Sequence, residues 1–380
     1  MPEAPQRNIA LPWGWENERL LGTAADYYAS LLQGLTQARH SVCLESYIFE
    51  DDGIGGQVVA ALVAAASRGV NVRVIVDGLG SYFSLDRLIR DFADSGVELR
   101  IYHPPPWRLG AYRFALSRRR RLEQFIYTLI RINHRNHRKL CVVDSCCAWV
   151  GSFNISDSHS EEHSPHWRDI AVYVEGKAIR GLVKSFGQLW KRRQLSEPAR
   201  GYLRQFFSTL SPVSRYQKNR ALIDLIDRAR YRLWIASAYF SPSGAILRAM
   251  KRAARRGVDV RLMVSARSDI LFFPALTATY YSDLLKQGVV VYEYQAGVMH
   301  AKAMLIDELA IIGSSNLNHR SLLHDLELDV LLDKETTIAD LTACMEQDRS
   351  QSVRITLEDL PRYQLSILMG WLPRLSRYWL

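Results

Sequence analysis

Cysteine is scarce, long apolar runs are missing, and acidic residues fall short of basic ones. The 380-residue chain has five Cys, at 43, 141, 146, 147 and 344, and none has the spacing of a zinc site. An odd total with Cys43 and Cys141 in apolar settings predicts reduced core thiols in a cytosolic compartment, which excludes a disulfide framework. The longest uninterrupted apolar run, residues 58–66, is about half of the roughly 20 residues that cross a bilayer, so no transmembrane helix is expected. Residues 1–7 do not present a basic segment leading into an apolar one, and no cleaved secretion signal is expected. What is present is ordinary globular composition, 48% hydrophobic and 23% charged, enough for one large core or two of ordinary size and inconsistent with global disorder. Lys plus Arg number 49 against 39 Asp plus Glu, a formal charge of +10. That excess points to a polyanion: nucleic acid, an anionic membrane surface, or a phosphate-bearing substrate.

The chain is written twice. Ala38-Arg39-His40-Ser41-Val42-Cys43-Leu44-Glu45-Ser46 matches Ala229-Arg230-Tyr231-Arg232-Leu233-Trp234-Ile235-Ala236-Ser237, each reading as a helix end entering a buried strand. An alanine-rich amphipathic stretch follows in each half, closed by Arg68-Gly69-Val70-Asn71-Val72-Arg73 and Arg256-Gly257-Val258-Asp259-Val260-Arg261. The glycine ends a helix and the alternating valines begin a strand. A second helix and strand follow, ending at Gly96 in one half and Gly288 in the other. Strand, helix and strand in this order predict βαβ units, and hence an α/β protein of two similar halves, each with a mostly parallel sheet. The halves are placed at 1–200 and 201–380.

Each half then carries H-x-K-x4-D, at His137, Lys139 and Asp144 and at His300, Lys302 and Asp307, followed by G-S-x-N at Gly151, Ser152 and Asn154 and at Gly313, Ser314 and Asn316. On a strand the His and Lys share one face. These residue types suit a phosphodiester. Lys139 and Lys302 can neutralise its nonbridging oxygens, and Ser152, Asn154, Ser314 and Asn316 can bind them. A neutral His can attack phosphorus while a protonated one gives its proton to the leaving alkoxide, so two copies are needed; the lysines supply the charge that a metal would otherwise bring, and no metal or cofactor is expected. Asp144 and Asp307, seven residues beyond their His, either join the catalytic set or brace the strand and loop. Asp169 and Glu327 head matching hydrophobic strands and are candidates for orienting the imidazoles, with an ordinary strand-end ion pair as the alternative.

The duplicated motifs resemble the phospholipase D superfamily from about residue 20 to 335. Glu45 to Asp52, Asn136-His137-Arg138-Lys139, Trp167-Arg168-Asp169 and Asn316-Leu317-Asn318-His319-Arg320-Ser321 are most similar to bacterial cardiolipin synthases of the short type without transmembrane helices. The resemblance implies two α/β/α lobes packed around one shared cleft. It also implies phosphatidyl transfer through a phosphohistidine, commonly from phosphatidylglycerol to a second lipid, with His137 as nucleophile and His300 as acid and base. A hydrolytic phospholipase D, a nuclease of the same fold and a non-enzymatic membrane scaffold are the alternatives.

The first half is longer. Gly96 and His137 are 41 positions apart, against 12 for Gly288 and His300. The extra segment, at about 104–135, belongs to a basic stretch. Residues 107–138 hold nine Arg and only Glu123 as an acid, a local +8, interleaved with aliphatic and aromatic residues. That pattern is expected to lie on an anionic leaflet. Nucleic acid is the less favoured partner, because aliphatic side chains outnumber the flat rings that would stack on bases. Residues 361–380 add three Arg and no acid, a second apolar-basic segment that either touches the membrane or packs on the body. A peripheral protein of the bacterial cell membrane, on its cytoplasmic side, is expected.

Overall fold

The computed structural model describes residues 14–104, 134–163, 165–191, 205–364 and 368–369. β1 (Asn17–Leu21) and α1 (Ala24–Gln37) lead into β2 (Ser41–Ser46), α2 (Gly53–Ser67), β3 (Asn71–Asp77), α3 (Leu85–Phe92) and β4 (Glu98–Tyr102). β5 (Leu140–Val143), β6 (Cys147–Gly151), the short β7 (Trp167–Arg168), β8 (Ala171–Glu175) and α4 (Ile179–Trp190) complete the first half. The second half repeats the plan. It contains β9 (Phe206–Ser208), α5 (Pro212–Arg228), β10 (Arg232–Ser237), α6 (Gly244–Arg255), β11 (Asp259–Ser265), α7 (Phe273–Ala278), α8 (Tyr281–Leu285), β12 (Val290–Tyr294) and β13 (Val298–Met299). It closes with β14 (Lys302–Ile306), β15 (Leu309–Gly313), α9 (His319–Leu323), β16 (Leu328–Leu332), α10 (Glu335–Ser350) and β17 (Ser352–Ile355).

The βαβ strands pair in parallel as the repeat predicts: β2 with β3 and β3 with β4, and likewise β10 with β11 and β11 with β12. Gly69 and Gly257 take φ of 87° and 86°, the left-handed conformation that stops each helix and costs other residues a steric penalty. The motif strands join differently, which makes both sheets mixed. β5 lies antiparallel to β2 and is followed antiparallel by β6 and β8, and β14, β15 and β16 add to β10 in the same way. For β5 with β6 and β14 with β15 the cause is the connection: a tight turn at Asp144 and Ser145, or at Asp307, can only send the chain back along the strand it leaves. The sheet orders are β1-β8-β6-β5-β2-β3-β4 and β17-β12-β11-β10-β14-β15-β16-β9.

The glycine of each G-S-x-N sits where neighbouring strands touch. A Cβ on Gly151 would come within 2.5 Å of Ala171 Cα, and one on Gly313 within 2.3 Å of Leu328 O. One core fills the outer side of each sheet. A third core joins Leu140, Val142, Ala148 and Val150 of the first half to Trp234, Leu305, Ala310 and Ile312 of the second. The two sheets therefore share an apolar layer, and β6 packs on β15 and β16 across it.

Most of the basic insertion, the 200/201 boundary and nearly all of the tail beyond residue 364 lie outside the described residues. Two arginines counted with the insertion are described, and they do not face a membrane. Arg135 and Arg138 are 3% and 0% exposed. Arg135 pairs with Asp77 at 3.3 Å and Arg138 with Glu45 at 3.1 Å. Arg138 lies between His137 and Lys139 in sequence, so the alternation that sends those two to the cleft turns Arg138 into the protein. Arg138→Met should cost about 3–5 kcal/mol, because it leaves Glu45 buried without its counter-ion. A denaturant titration of the variant against the parent measures it.

Candidate active site

His137 and Lys139 lie just ahead of β5. Because β5 is antiparallel to β2, with Leu140 opposite Glu45, these residues emerge at the carboxyl ends of the parallel strands. His300 and Lys302 occupy the same place in the second half, where Lys302 lies opposite Ser237. All four are buried, at 8%, 2%, 3% and 3% exposure for His137, Lys139, His300 and Lys302.

The two halves exchange partners. β7 of the first half pairs in parallel with β13 of the second, and Asn136 bridges Leu326 in the same sense. These short pairings bring each His amide to the opposite lobe, where His300 N–H donates to Arg168 O at 2.9 Å and His137 N–H to Leu326 O at 3.0 Å. The next residue in each accepting segment is a carboxylate. His300 Nδ1 donates to Asp169 at 2.8 Å, and His137 Nδ1 lies 2.9 Å from Ser314 O and 3.1 Å from Glu327. All these partners are acceptors, so each Nδ1 carries the ring proton and each Nε2 keeps a lone pair. Asp169 and Glu327 each lie at the Nδ1 of the His of the other lobe.

Each carboxylate is held in turn by a residue five positions after the G-S-x-N asparagine. His159 Nε2 accepts the Asn154 N–H at 3.1 Å, and its Nδ1 lies 2.7 Å from Asp169. In the second half Ser321 Oγ accepts the Asn316 N–H at 3.2 Å and donates to Glu327. The sequence reading gives His159 no place and Ser321 one only within the motif Asn316 to Ser321, without a role. The signal was their matching offset, concealed because the two residue types differ. Tyr47, whose ring is 5.0 Å from that of His137, and Trp167, 4.6 Å from that of His300, also wall the site.

The remaining sequence candidates divide. Asn154 is buried; its Oδ1 accepts the Ile48 N–H at 3.2 Å, while its Nδ2 has no partner, an orphan donor suited to a phosphate oxygen. Asn316 is likewise buried, with an unpartnered Oδ1. The serines are spent on the protein itself. Ser152 Oγ donates to Ile170 O and accepts the Ile170 N–H, both at 3.0 Å. Ser314 Oγ donates to Glu327 and accepts the Leu328 N–H at 3.0 Å. They clip adjacent strands together, and Ser314 also holds the carboxylate beside His137.

Asp144 and Asp307 do not reach the cleft. Each sits at the opposite end of its motif strand, on the order of 20 Å from its His at a strand rise of about 3.3 Å per residue. Asp144 accepts N–H groups of Arg39, His40 and Ser41 at 2.9, 2.7 and 2.8 Å. Asp307 does the same for Arg230, Tyr231 and Arg232, at 2.9, 3.1 and 3.2 Å. Both anchor a turn.

The cleft is arranged for an anion. Burial lowers Lys139 to about 7 and Lys302 to about 8, and the Lys302 charge pushes Lys139 further down. Burial, with Lys139, Lys302 and Arg320 nearby, holds His137 well below its ordinary value. Burial takes His300 to about 3 although Asp169 opposes the shift. Burial would raise Asp169, but His300 and His159 outweigh it and hold the carboxylate far below its usual range. Glu327 instead rises to about 7 through burial. Among the described residues His159, Asp169 and His300 have ligand-type atoms within 4.8 Å of one another. They meet at Asp169, whose oxygens lie 2.8 Å from His300 Nδ1 and 2.7 Å from His159 Nδ1.

Two pseudo-equivalent lobes that complete one buried site, each with His, Lys and Asn and each lending a carboxylate to the other's His, define a two-histidine phosphodiester-handling fold. The family described as "Cardiolipin synthase, PLD-like domain" matches residues 31–190 and 222–349, and the chain belongs to it. Among its relatives, a cardiolipin synthase of Alkalihalophilus pseudofirmus is 33% identical over 89% of this chain and 67% of its own length. Cardiolipin synthase B of Salmonella typhi is 31% identical over 95% of this chain and 92% of its own. The crystal structure of phosphatidylserine synthase from Haemophilus influenzae Rd KW20 superimposes over 98% of both chains with a TM-score of 0.70 at 13% identity, a likeness of fold. The chain is an enzyme of the cardiolipin synthase type within the phospholipase D superfamily.

Proposed function

We propose that this enzyme moves a phosphatidyl group from phosphatidylglycerol to the hydroxyl of a second phospholipid, forming cardiolipin. The observation that carries the reading is the crossed pair of carboxylates, which leaves both Nε2 atoms free in one cationic cleft. His137 Nε2 attacks phosphorus; the P–N bond forms as the bond to the headgroup glycerol oxygen breaks, and His300 gives that oxygen its proton. His300 then takes the proton of the acceptor hydroxyl, whose oxygen attacks phosphorus and releases His137. Lys139, Lys302 and the amide of Asn154 carry the phosphate charge throughout.

The unlike carboxylates support this order of roles. An ionised Asp169 stabilises an imidazolium at His300, whereas Glu327, with its pKa raised, adds less negative charge beside His137 and favours the neutral nucleophile. The anionic phosphodiester itself favours protonation of His300 once bound. The lysines must be charged to bind it, so kcat/KM should fall as pH rises through about 7 to 8, the values of Lys139 and Lys302 in the empty site. A pH profile with substrate below KM checks this; a flat profile to pH 9 contradicts it.

Incubation with phosphatidylglycerol vesicles and analysis of the lipids tests the function. Cardiolipin with free glycerol is expected. Phosphatidic acid in place of cardiolipin identifies a hydrolase, and DNA cleavage without lipid turnover refutes the lipid reading. The reading also places the protein at the surface of the bacterial membrane, with the basic segment before His137 and the C-terminal tail as contacts.

A further inference from the structure

We infer that Phe83 and Leu271 are a pair of apolar prongs, one from each lobe, that enter the lipid layer on either side of the active-site cleft. The inference rests on the phospholipid reading above and adds the surface through which the enzyme meets its substrate.

Phe83 is 96% exposed and Leu271 94%, the highest values among the exposed large apolar residues of the described chain. Their positions are equivalent: the offset that carries Asn71 of the first repeat onto Asp259 of the second also carries Phe83 onto Leu271. Each lies in the loop that leaves the carboxyl end of a central parallel strand, β3 or β11, the end where His137 and His300 emerge. One fully exposed apolar side chain is unremarkable on a soluble surface. Two at the same repeat position, flanking one cleft from both lobes, are a feature of the site's rim.

The loops are also tied to the catalytic groups. At the end of β3, Asp77 accepts the N–H of Asn136, the residue before His137, at 2.9 Å; at the end of β11, Ser265 accepts the N–H of Met299, the residue before His300, at 2.8 Å. Ser81 further fastens the first loop to Tyr47 O at 3.0 Å, and Asp269 fastens the second to the Tyr239 hydroxyl at 2.6 Å. Tyr47 packs on His137, and the Tyr239 ring is 6.4 Å from that of His300. The prongs are thus fixed relative to the phosphate site.

The occupant is an anionic phospholipid bilayer. The exposed charges beside the prongs are mixed, Arg87 and Arg90 with Asp86 and Asp91 after Phe83 and Arg267 with Asp269 before Leu271, while the cations that face the phosphodiester are Lys139 and Lys302 of the cleft between them. Apolar tips on the rim of a cleft that takes the phosphodiester of a phospholipid match a surface with phosphate headgroups outside and acyl chains below. Prongs that sink past the headgroups bring the cleft to the level of the phosphodiester.

The full-length chain tests this with Phe83→Ser combined with Leu271→Ser. Binding to phosphatidylglycerol vesicles, read by co-sedimentation, should weaken on the order of 100-fold. Turnover of vesicle lipid should fall with it, while turnover of a short-chain phosphatidylglycerol kept monomeric stays within about twofold of the parent. Equal loss on both substrates, or undiminished vesicle binding, overturns the inference. So does a parent chain that sediments as a dimer which the double variant splits, since the prongs then meet a second copy. A solvatochromic dye on Phe83→Cys, in a Cys146→Ser background, separates this inference from the proposed function. A blue shift with anionic vesicles supports docking even if no lipid is turned over, and lipid turnover without a shift overturns it.

Discussion

His137→Ala and His300→Ala should each abolish cardiolipin formation, with an expected loss of at least about 10³-fold, while far-UV circular dichroism and the unfolding midpoint should stay near those of the parent. The two losses should be similar and should not multiply in the double variant, because the residues act in one sequence of bond changes. The mechanism fails if either single variant keeps a tenth of the parent's rate. Both rings are buried but line a cleft, so truncation opens space at the site and leaves the three apolar cores whole.

Asp169→Asn should cost about 10²- to 10⁴-fold in kcat, and more than Glu327→Gln. Among the described residues Asp169 is the sole acceptor for His300 Nδ1, and in the proposed mechanism its charge stabilises the imidazolium needed for proton donation. Glu327 shares His137 Nδ1 with Ser314 O at 2.9 Å, so the nucleophile keeps its orientation after Glu327→Gln. Without the Asp169 charge, His300 holds its proton less tightly in the substrate complex, and the limb of the kcat profile that reports the acid should move to lower pH. A KM change with kcat intact would instead mark Asp169 as a substrate-binding or merely structural residue. The placement has a further consequence: each lobe lends a carboxylate to the other's His, so neither lobe is expected to form a competent site alone.

Much of this was legible because the duplication repeats local patterns. R-G-V-x-V-R marks helix stop and strand start by backbone and pattern alone, and the βαβ strands follow. H-x-K places two side chains on one face by the period of a strand. What escaped the sequence depended on contacts between distant segments. The serines of G-S-x-N suit a phosphate and a strand clip equally well by residue type, and only the adjacent strands β8 and β16 decide for the clip. Asp144 and Asp307 sit in the motif pattern, yet strand length carries them to the far end of the sheet. Asp169 and Glu327 stood out as matched carboxylates, but their exchange between lobes depends on the β7–β13 pairing and the Asn136–Leu326 bridge. His159 and Ser321 share one role with different chemistry, which pattern matching passes over. The excess of arginine in residues 107–138 includes two buried ion-pair partners, Arg135 and Arg138, whereas the exposed tips at Phe83 and Leu271 carry no mark in composition.

The proposed mechanism passes through a covalent phosphatidyl group on His137, which can be trapped. The enzyme is mixed briefly with phosphatidylglycerol, quenched in alkali to preserve the acid-labile P–N bond, digested and analysed by mass spectrometry. A phosphatidyl or phosphoryl adduct on the peptide containing His137, absent from His137→Ala, is the predicted result. An adduct on His300 alone, or active turnover with no adduct on either histidine, would contradict it.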